Sequence, residues 1–150
     1  MRRVAAAGVA TLVALGATGV GYLVSEAGAD APAALGPGVV RLEVSMKYSR
    51  YSIPADLRVH EGTLVEFVLT NDDPINHELI IGDEAVHARH ETGHEPYHPP
   101  VPGEVSVGPG EQGLTTFLFD SPGTVRYVCH LPGHAAYGMQ GEITVEPAGD

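Results

Sequence analysis

The chain from Val39 onward consists of short segments in which apolar and polar residues alternate, and this pattern restricts the fold more than any other feature. In the stretch VVRLEVS, the apolar residues Val40, Leu42 and Val44 are separated by single polar residues, as in a strand with one buried face. Turns rich in glycine, proline and aspartate separate it from similar stretches: LRVHEG, TLVEFVLTN, HELIIGD, EVSVGPGE, LTTFLFD, TVRYVCH and GEITVEP. Seven or eight short strands divided in this way predict an all-β protein, folded as a sandwich or a barrel.

The beginning of the chain has a different character. Residues 1–29 open with two arginines after Met1, continue as an uncharged run of small and aliphatic residues, and end at Ala-Gly-Ala. This order is typical of an export signal peptide, and the uncharged run is also long enough for an uncleaved membrane anchor. Residues 30–38 are predicted to be a linker, and residues 39–147 the folded domain. Both alternatives for the first segment predict an extracytoplasmic domain, which is secreted, periplasmic or tethered to the membrane.

Charge and cysteine content argue against nucleic-acid binding and exclude an internal disulfide. The formal net charge is −11, and so acidic a chain is a poor ligand for nucleic acid. Cys129 is the only cysteine, so the chain forms no internal disulfide, and a free exposed thiol would be oxidised outside the cytoplasm. A lone cysteine is usually a small buried apolar residue, and only its neighbours can indicate another role.

The neighbours of Cys129 indicate a metal site. In the stretch YVCHLPGHAAYGM, His134 follows Cys129 after four residues, and Met139 follows after four more. A thiolate, an imidazole and a thioether on one loop are the soft and borderline ligands that favour copper. His77, which follows the turn residues NDDP and begins a predicted strand, is expected to supply a second imidazole. Two histidines and a cysteine with a weak axial methionine form a blue, or type 1, copper site.

These residues carry a resemblance to a known family. The segments YSIPADLRVHEGTLVEFVLTNDD, NHELIIGD and YVCHLPGHAAYGMQGEITV resemble those of cupredoxins and occur in the same order within residues 39–146. The ligand spacing is similar to that of rusticyanins, and NHELIIGD followed by a long histidine-bearing loop resembles small exported cupredoxins associated with copper resistance. The resemblance implies a Greek-key cupredoxin sandwich with one type 1 copper bound by His77, Cys129, His134 and Met139. It also implies one-electron transfer with redox partner proteins.

The same motif partly matches multicopper oxidases. Those enzymes have a histidine directly before the cysteine, where this chain has Val128, and they need His-x-His pairs, which this sequence lacks. A binuclear copper centre of the respiratory type needs two cysteines. The sequence therefore predicts a copper protein that is not an enzyme by itself.

The connection at residues 83–104 is long for two neighbouring strands and is predicted to be either functional or poorly ordered. Its spacing would align four histidines on one face of a helix, although Gly93 and the later prolines argue against a helix beyond the middle. These residues are either a solvated, pH-sensitive surface or a second, labile copper or zinc site, and the latter would make copper buffering or copper resistance the alternative function. His130, next to Cys129, is predicted to point to the opposite face of the strand and to lie at the surface or an edge. The four histidines of the possible second site are His87, His90, His94 and His98.

Overall fold

The computed structural model describes residues 33–92 and 101–148, and each of the eight alternating stretches forms a strand in it. The predicted export segment, residues 1–29, lies outside the described residues. None of the helices in the two described ranges is long and apolar enough to cross a membrane. The strands are β1 (Gly38–Met46), β2 (Arg58–His60), β3 (Thr63–Asn71), β4 (His77–Gly82), β5 (Glu104–Val107), β6 (Gln112–Phe119), β7 (Gly123–Val128) and β8 (Gln140–Glu146). An α-helix, α1 (Glu84–Glu91), and a short 3-10 helix (Ala135–Tyr137) complete the described elements.

The strands form two sheets, in the orders β1-β3-β6 and β2-β8-β7-β4-β5. β1 is parallel to β3, and β2 is parallel to β8, whereas the other neighbouring strands are antiparallel. Parallel neighbours cannot be joined by a hairpin, and the chain accordingly passes through the second sheet between β1 and β3. Leu35, within the predicted linker, pairs with Val59 of β2, so part of that segment lies against the domain. The structure confirms the prediction of an all-β sandwich.

The core lies between the two sheets. Every second residue of β3 is buried, and the residues between them are half-buried. Large core side chains come from both sheets, and Phe67, Leu79, Phe119 and Ile143 are each at most 1% exposed. Burying a side chain of this kind contributes about 1.5–3 kcal/mol to folding. This packing holds β4 and β7 in place, and the predicted ligands His77 and Cys129 lie on or directly after these strands.

β4 is buried on both of its faces, and all six of its residues are buried. Leu79 and Ile81 belong to the core between the sheets. Ile80 and Gly82 point the other way, because successive side chains alternate along a strand. A β-carbon on Gly82 would lie 2.8 Å from the Cβ of Val86, so glycine at this position lets α1 lie against the strand. The sheet therefore has a second buried face, underneath the helix.

Helix α1 occupies the first half of the long connection. It begins after Asp83, whose carboxylate accepts a hydrogen bond from the Val86 backbone N–H at 2.9 Å and so caps the first turn. The helix ends at Glu91, and Thr92 follows as its C-terminal cap. Its buried residues are two histidines, His87 and His90, rather than aliphatic side chains. Two imidazoles therefore lie where aliphatic side chains usually pack a helix against a sheet.

Candidate metal centre

Asn71 holds the turn that precedes His77. Its side chain is fully buried, and its amide nitrogen donates to the carbonyl oxygens of Ile75 at 2.8 Å and Val107 at 3.0 Å. Its amide oxygen accepts from the backbone N–H of Asp73 at 3.0 Å. These hydrogen bonds therefore stabilise the turn and join it to the end of β5. In the sequence, Asn71 and Asp73 are recognisable only as turn residues, and no pattern indicated that either belongs to the site.

Asp73 determines which nitrogen of His77 faces the site. The His77 Nε2–H donates to Asp73 Oδ2 at 2.9 Å, and Asp73 also accepts from the backbone N–H groups of Tyr48 at 2.7 Å and Ser49 at 2.8 Å. Burial alone would raise the pKa of Asp73, but these hydrogen bonds outweigh it and hold the pKa below its ordinary value. An ionised carboxylate only accepts hydrogen bonds, so the proton of the neutral imidazole stays on Nε2. The lone pair on Nδ1 of His77 is then available to a metal ion.

The loop after β7 folds back on itself at the other predicted ligands. The Cys129 backbone N–H donates to the Met139 carbonyl oxygen at 2.9 Å, and the Met139 N–H donates to that of His134 at 3.1 Å. Gly133 and Gly138 have φ values of 83° and 107°, which residues with a β-carbon rarely adopt, so glycine permits the two tight turns. Met139, the predicted axial ligand, has a fully buried side chain in the core.

Three of the predicted ligands meet at one point. The Nδ1 atoms of His77 and His134 are 3.1 Å apart, and the Sγ of Cys129 is 3.3 Å from the Nδ1 of His134. All three donor atoms lie within 4.8 Å of one another. Burial raises the pKa of the Cys129 thiol to about 11, so the thiolate form requires a cation beside it. One thiolate and two imidazoles at this separation suit copper, with the donor set expected from the sequence.

The histidines of the long connection form a second cluster, on the helix-covered face of the sheet. His87 and His90 of α1 are buried, and both pack against the ring of His130, with ring centroids 5.2 Å and 5.8 Å away. His130 is half-buried rather than a surface residue, because the helix covers it. Alternation along the strand indicated its direction, but no sequence pattern indicated its partners. His94 and His98, the other two residues of the predicted second site, lie outside the described residues.

Comparisons with known proteins agree with the fold and with the metal. Residues 40–146 match the model of the plastocyanin/azurin family of copper-binding proteins. The copper-resistant cuproprotein CopI of Rubrivivax gelatinosus is 33% identical over 95 residues, which cover 61% of this chain and 58% of that protein. CopI of Pseudomonas aeruginosa is 28% identical over 129 residues, covering 65% of this chain and 71% of that protein.

A solved structure shows the same fold. The crystal structure of dithionite-reduced auracyanin from Roseiflexus castenholzii is similar with a TM-score of 0.58 and 25% identity, over 71% of this chain and 97% of that one. The family match covers most of the two described ranges and includes the residues of the thiol–imidazole cluster. The cupredoxin prediction is confirmed, and the chain belongs to the plastocyanin/azurin family of copper-binding proteins.

Proposed function

We propose that this chain is an exported type 1 copper protein that carries single electrons between partner proteins and catalyses no reaction by itself. His77, Cys129 and His134 would bind the copper, with Met139 as the weak axial ligand. One observation supports this proposal most strongly: Asp73 directs the Nδ1 lone pair of His77 toward the Nδ1 of His134, beside a buried thiol. Copper held by such ligands supplies reversible one-electron chemistry.

The rigidity of the site favours electron transfer. His77 is held by the buried Asp73 carboxylate, and Cys129 and Met139 are joined through their backbones. Side chains that are fixed in this way change position little when the charge of the metal changes, so little reorganisation accompanies the transfer of an electron. A protein that releases its metal readily would instead need mobile ligands.

The surface beside His134 offers a route for the electron. His134 is half-buried, whereas His77, Cys129 and Met139 are fully buried, so the imidazole of His134 connects the site with solvent. Ile75 and Tyr137, on the two loops that carry the ligands, are 45% and 67% exposed. We propose that redox partners dock on this side, where the exposed side chains of Ile75 and Tyr137 allow a close and short-lived contact.

Substituting Met139 should move the reduction potential in opposite directions. Met139→Leu removes a thioether donor and should raise the potential, whereas Met139→Gln supplies a stronger oxygen donor that favours copper(II) and should lower it. Each tenfold change in the ratio of copper(II) to copper(I) affinity moves a one-electron potential by about 59 mV. Cyclic voltammetry of the copper-loaded variants measures the shift. Unchanged potentials in both variants would assign the axial position to another group.

Copper resistance is the second candidate function. Two of the similar proteins are named copper-resistant cuproproteins, and this chain spans 58% and 71% of their lengths. In such a role the chain would bind excess copper outside the cytoplasm, and any second metal site would add capacity.

Copper exchange separates the two functions. If the chain is an electron carrier, one tightly bound copper should show a reversible one-electron wave in voltammetry, and an excess of a copper(I) chelator should remove it slowly from the reduced protein. If the chain is a buffer, the chelator should withdraw that copper as fast as the reduced protein is mixed with it. Rapid loss of the type 1 copper would overturn the electron-transfer proposal in favour of copper handling.

A further inference from the structure

The cluster under helix α1 is distinct from the thiol–imidazole site, because the two lie on opposite faces of the same sheet. Cys129 belongs to the core between the sheets, whereas the next residue, His130, packs against the helix on the outer face. His87 is only 1% exposed, which is a degree of burial that polar side chains reach when they are paired or bind a ligand.

The His87–His130 pair has the separation of two ligands on one ion. The Nδ1 of His87 is 3.0 Å from the Nε2 of His130. Metal–nitrogen bonds of about 2.0–2.1 Å at angles between about 90° and 109° place two imidazole nitrogens about 2.8–3.4 Å apart. The Nδ1 atoms of His77 and His134 in the first site have nearly the same separation, 3.1 Å.

Pairing between the two imidazoles does not satisfy His87. Its second ring nitrogen, Nε2, is buried and makes no hydrogen bond of normal geometry to the described residues, although backbone groups of Gly82 and Arg126 lie near the ring. If a hydrogen bond joins Nδ1 to His130, then Nε2 remains either a donor without an acceptor or an acceptor without a donor. A metal ion on Nδ1 would keep the proton on Nε2 without giving it an acceptor, so this atom costs about 1–3 kcal/mol in either state and the case for a metal rests on the separation of the two ligand nitrogens.

Hydrogen bonds and ion pairs surround the ring of His130. Glu78, which is buried, accepts a hydrogen bond from the His130 backbone N–H at 2.7 Å. His90, whose ring stacks on His130 at an angle of 19°, is bonded through Nε2 to the buried carboxylate of Glu104 at 2.8 Å. Arg89 binds the other oxygen of Glu104 at 2.5 Å. The pair therefore lies in a built pocket rather than on a free surface.

We propose that His87 and His130 form a second metal site that binds one divalent copper or zinc ion through His87 Nδ1 and His130 Nε2. The remaining coordination positions belong to water or small anions, so the ion exchanges readily. The site differs from the one expected from the sequence, because it takes one ligand from the helix and one from the residue next to Cys129. It does not depend on whether the first site transfers electrons.

Zinc titration of the copper(I)-loaded protein tests this site. Calorimetry should show one further equivalent of Zn²⁺ bound to wild type, and histidine-ring ¹⁵N spectra should show shifts at His87 Nδ1 and His130 Nε2. His87→Ala and His130→Ala should each remove this binding, because a single imidazole no longer chelates the ion. His87→Gln, which keeps a polar side chain at the buried position, should also remove it, and it guards against a folding defect in the alanine variant.

Two controls locate the site. His60→Ala changes a histidine on β2, whose ring lies 3.2 Å from the Pro147 carbonyl oxygen, and it should leave zinc binding unchanged. The double variant His94→Ala/His98→Ala should also retain the second equivalent. After reoxidation, an intact blue band in each variant shows that the first site is folded and loaded.

Two results would overturn the proposal. The first is wild-type protein that binds no second ion, in which case His87 and His130 are only a hydrogen-bonded imidazole pair. The second is full zinc binding by His87→Gln, whatever the result for the His94/His98 double variant, because the ion would then not be held by the His87–His130 pair. Neither result changes the spectrum of the first site, so the proposed electron-transfer function is judged separately.

Discussion

Replacing Cys129 by serine should abolish the intense visible absorption of the copper(II) protein. That absorption is a thiolate-to-copper charge transfer that needs a short copper–sulfur bond, and the chain has no second cysteine to supply one. A hydroxyl is also a much poorer ligand for copper than a thiolate, so the affinity should fall as well. Spectra of wild type and Cys129→Ser at equal protein concentration, combined with metal analysis, measure both effects.

The fold should survive this substitution. Cys129 is fully buried, but serine differs from it by a single atom and occupies slightly less space. Far-ultraviolet circular dichroism should match that of wild type, and His60→Ala, remote from the site, should keep the colour. A Cys129→Ser protein that retains the band, or a copper-loaded wild type without colour, would contradict the assignment of a type 1 site.

Replacing Asp73 by alanine should weaken copper binding about 10- to 100-fold, although this residue is not itself a ligand. The carboxylate fixes the proton of His77 on Nε2 and joins the loop of Tyr48 and Ser49 to the site. Without it, the His77 ring is free to take the wrong tautomer and to rotate. The expected loss corresponds to about 1.4–2.8 kcal/mol of binding free energy. Competition with a chelator of known affinity measures it.

Asp72→Ala is the matched control for this effect. Asp72 is the neighbouring carboxylate, but its side chain is exposed, whereas that of Asp73 is buried. The Asp72→Ala substitution removes the same charge one residue away from Asp73, so a general electrostatic effect would appear in both variants. Equal losses of affinity in Asp72→Ala and Asp73→Ala would show that charge, rather than the hydrogen bond to His77, is responsible.

The eight strands could be predicted because their pattern is local. A pleated strand turns alternate side chains to opposite faces, so a half-buried strand must alternate in sequence, and β1 and β3 do so. The association of Cys129, His134 and Met139 is local in the same sense, since one short loop contains all three. Glycines at positions 133 and 138 allow that loop to fold back, and they are visible in the sequence.

Other contacts join residues that are far apart in the sequence, so no local pattern indicates them. His77 is 57 residues from His134, and His87 is 43 residues from His130. The pairing of β4 with β7, which sets Ile80 opposite Val128, places the beginning of one strand beside the end of the other. His77 was predicted from its place between a turn and a strand, and the cupredoxin resemblance implied the same residue, but neither indicated how the two strands pair.

The chemical type of the protein was therefore determined by the sequence: it is an all-β domain whose only cysteine shares one loop with a histidine and a methionine that can bind the same metal. The tertiary structure decided which polar residues act on that site and which form another. Asp73 acts on His77 because hydrogen bonds from the backbone N–H groups of Tyr48 and Ser49 keep its carboxylate ionised and in place. His130 meets His87 because helix α1 packs against the outer face of β4, where Gly82 leaves room for it. Strand periodicity is a property of neighbouring residues, whereas these contacts result from how the sheets and the helix pack.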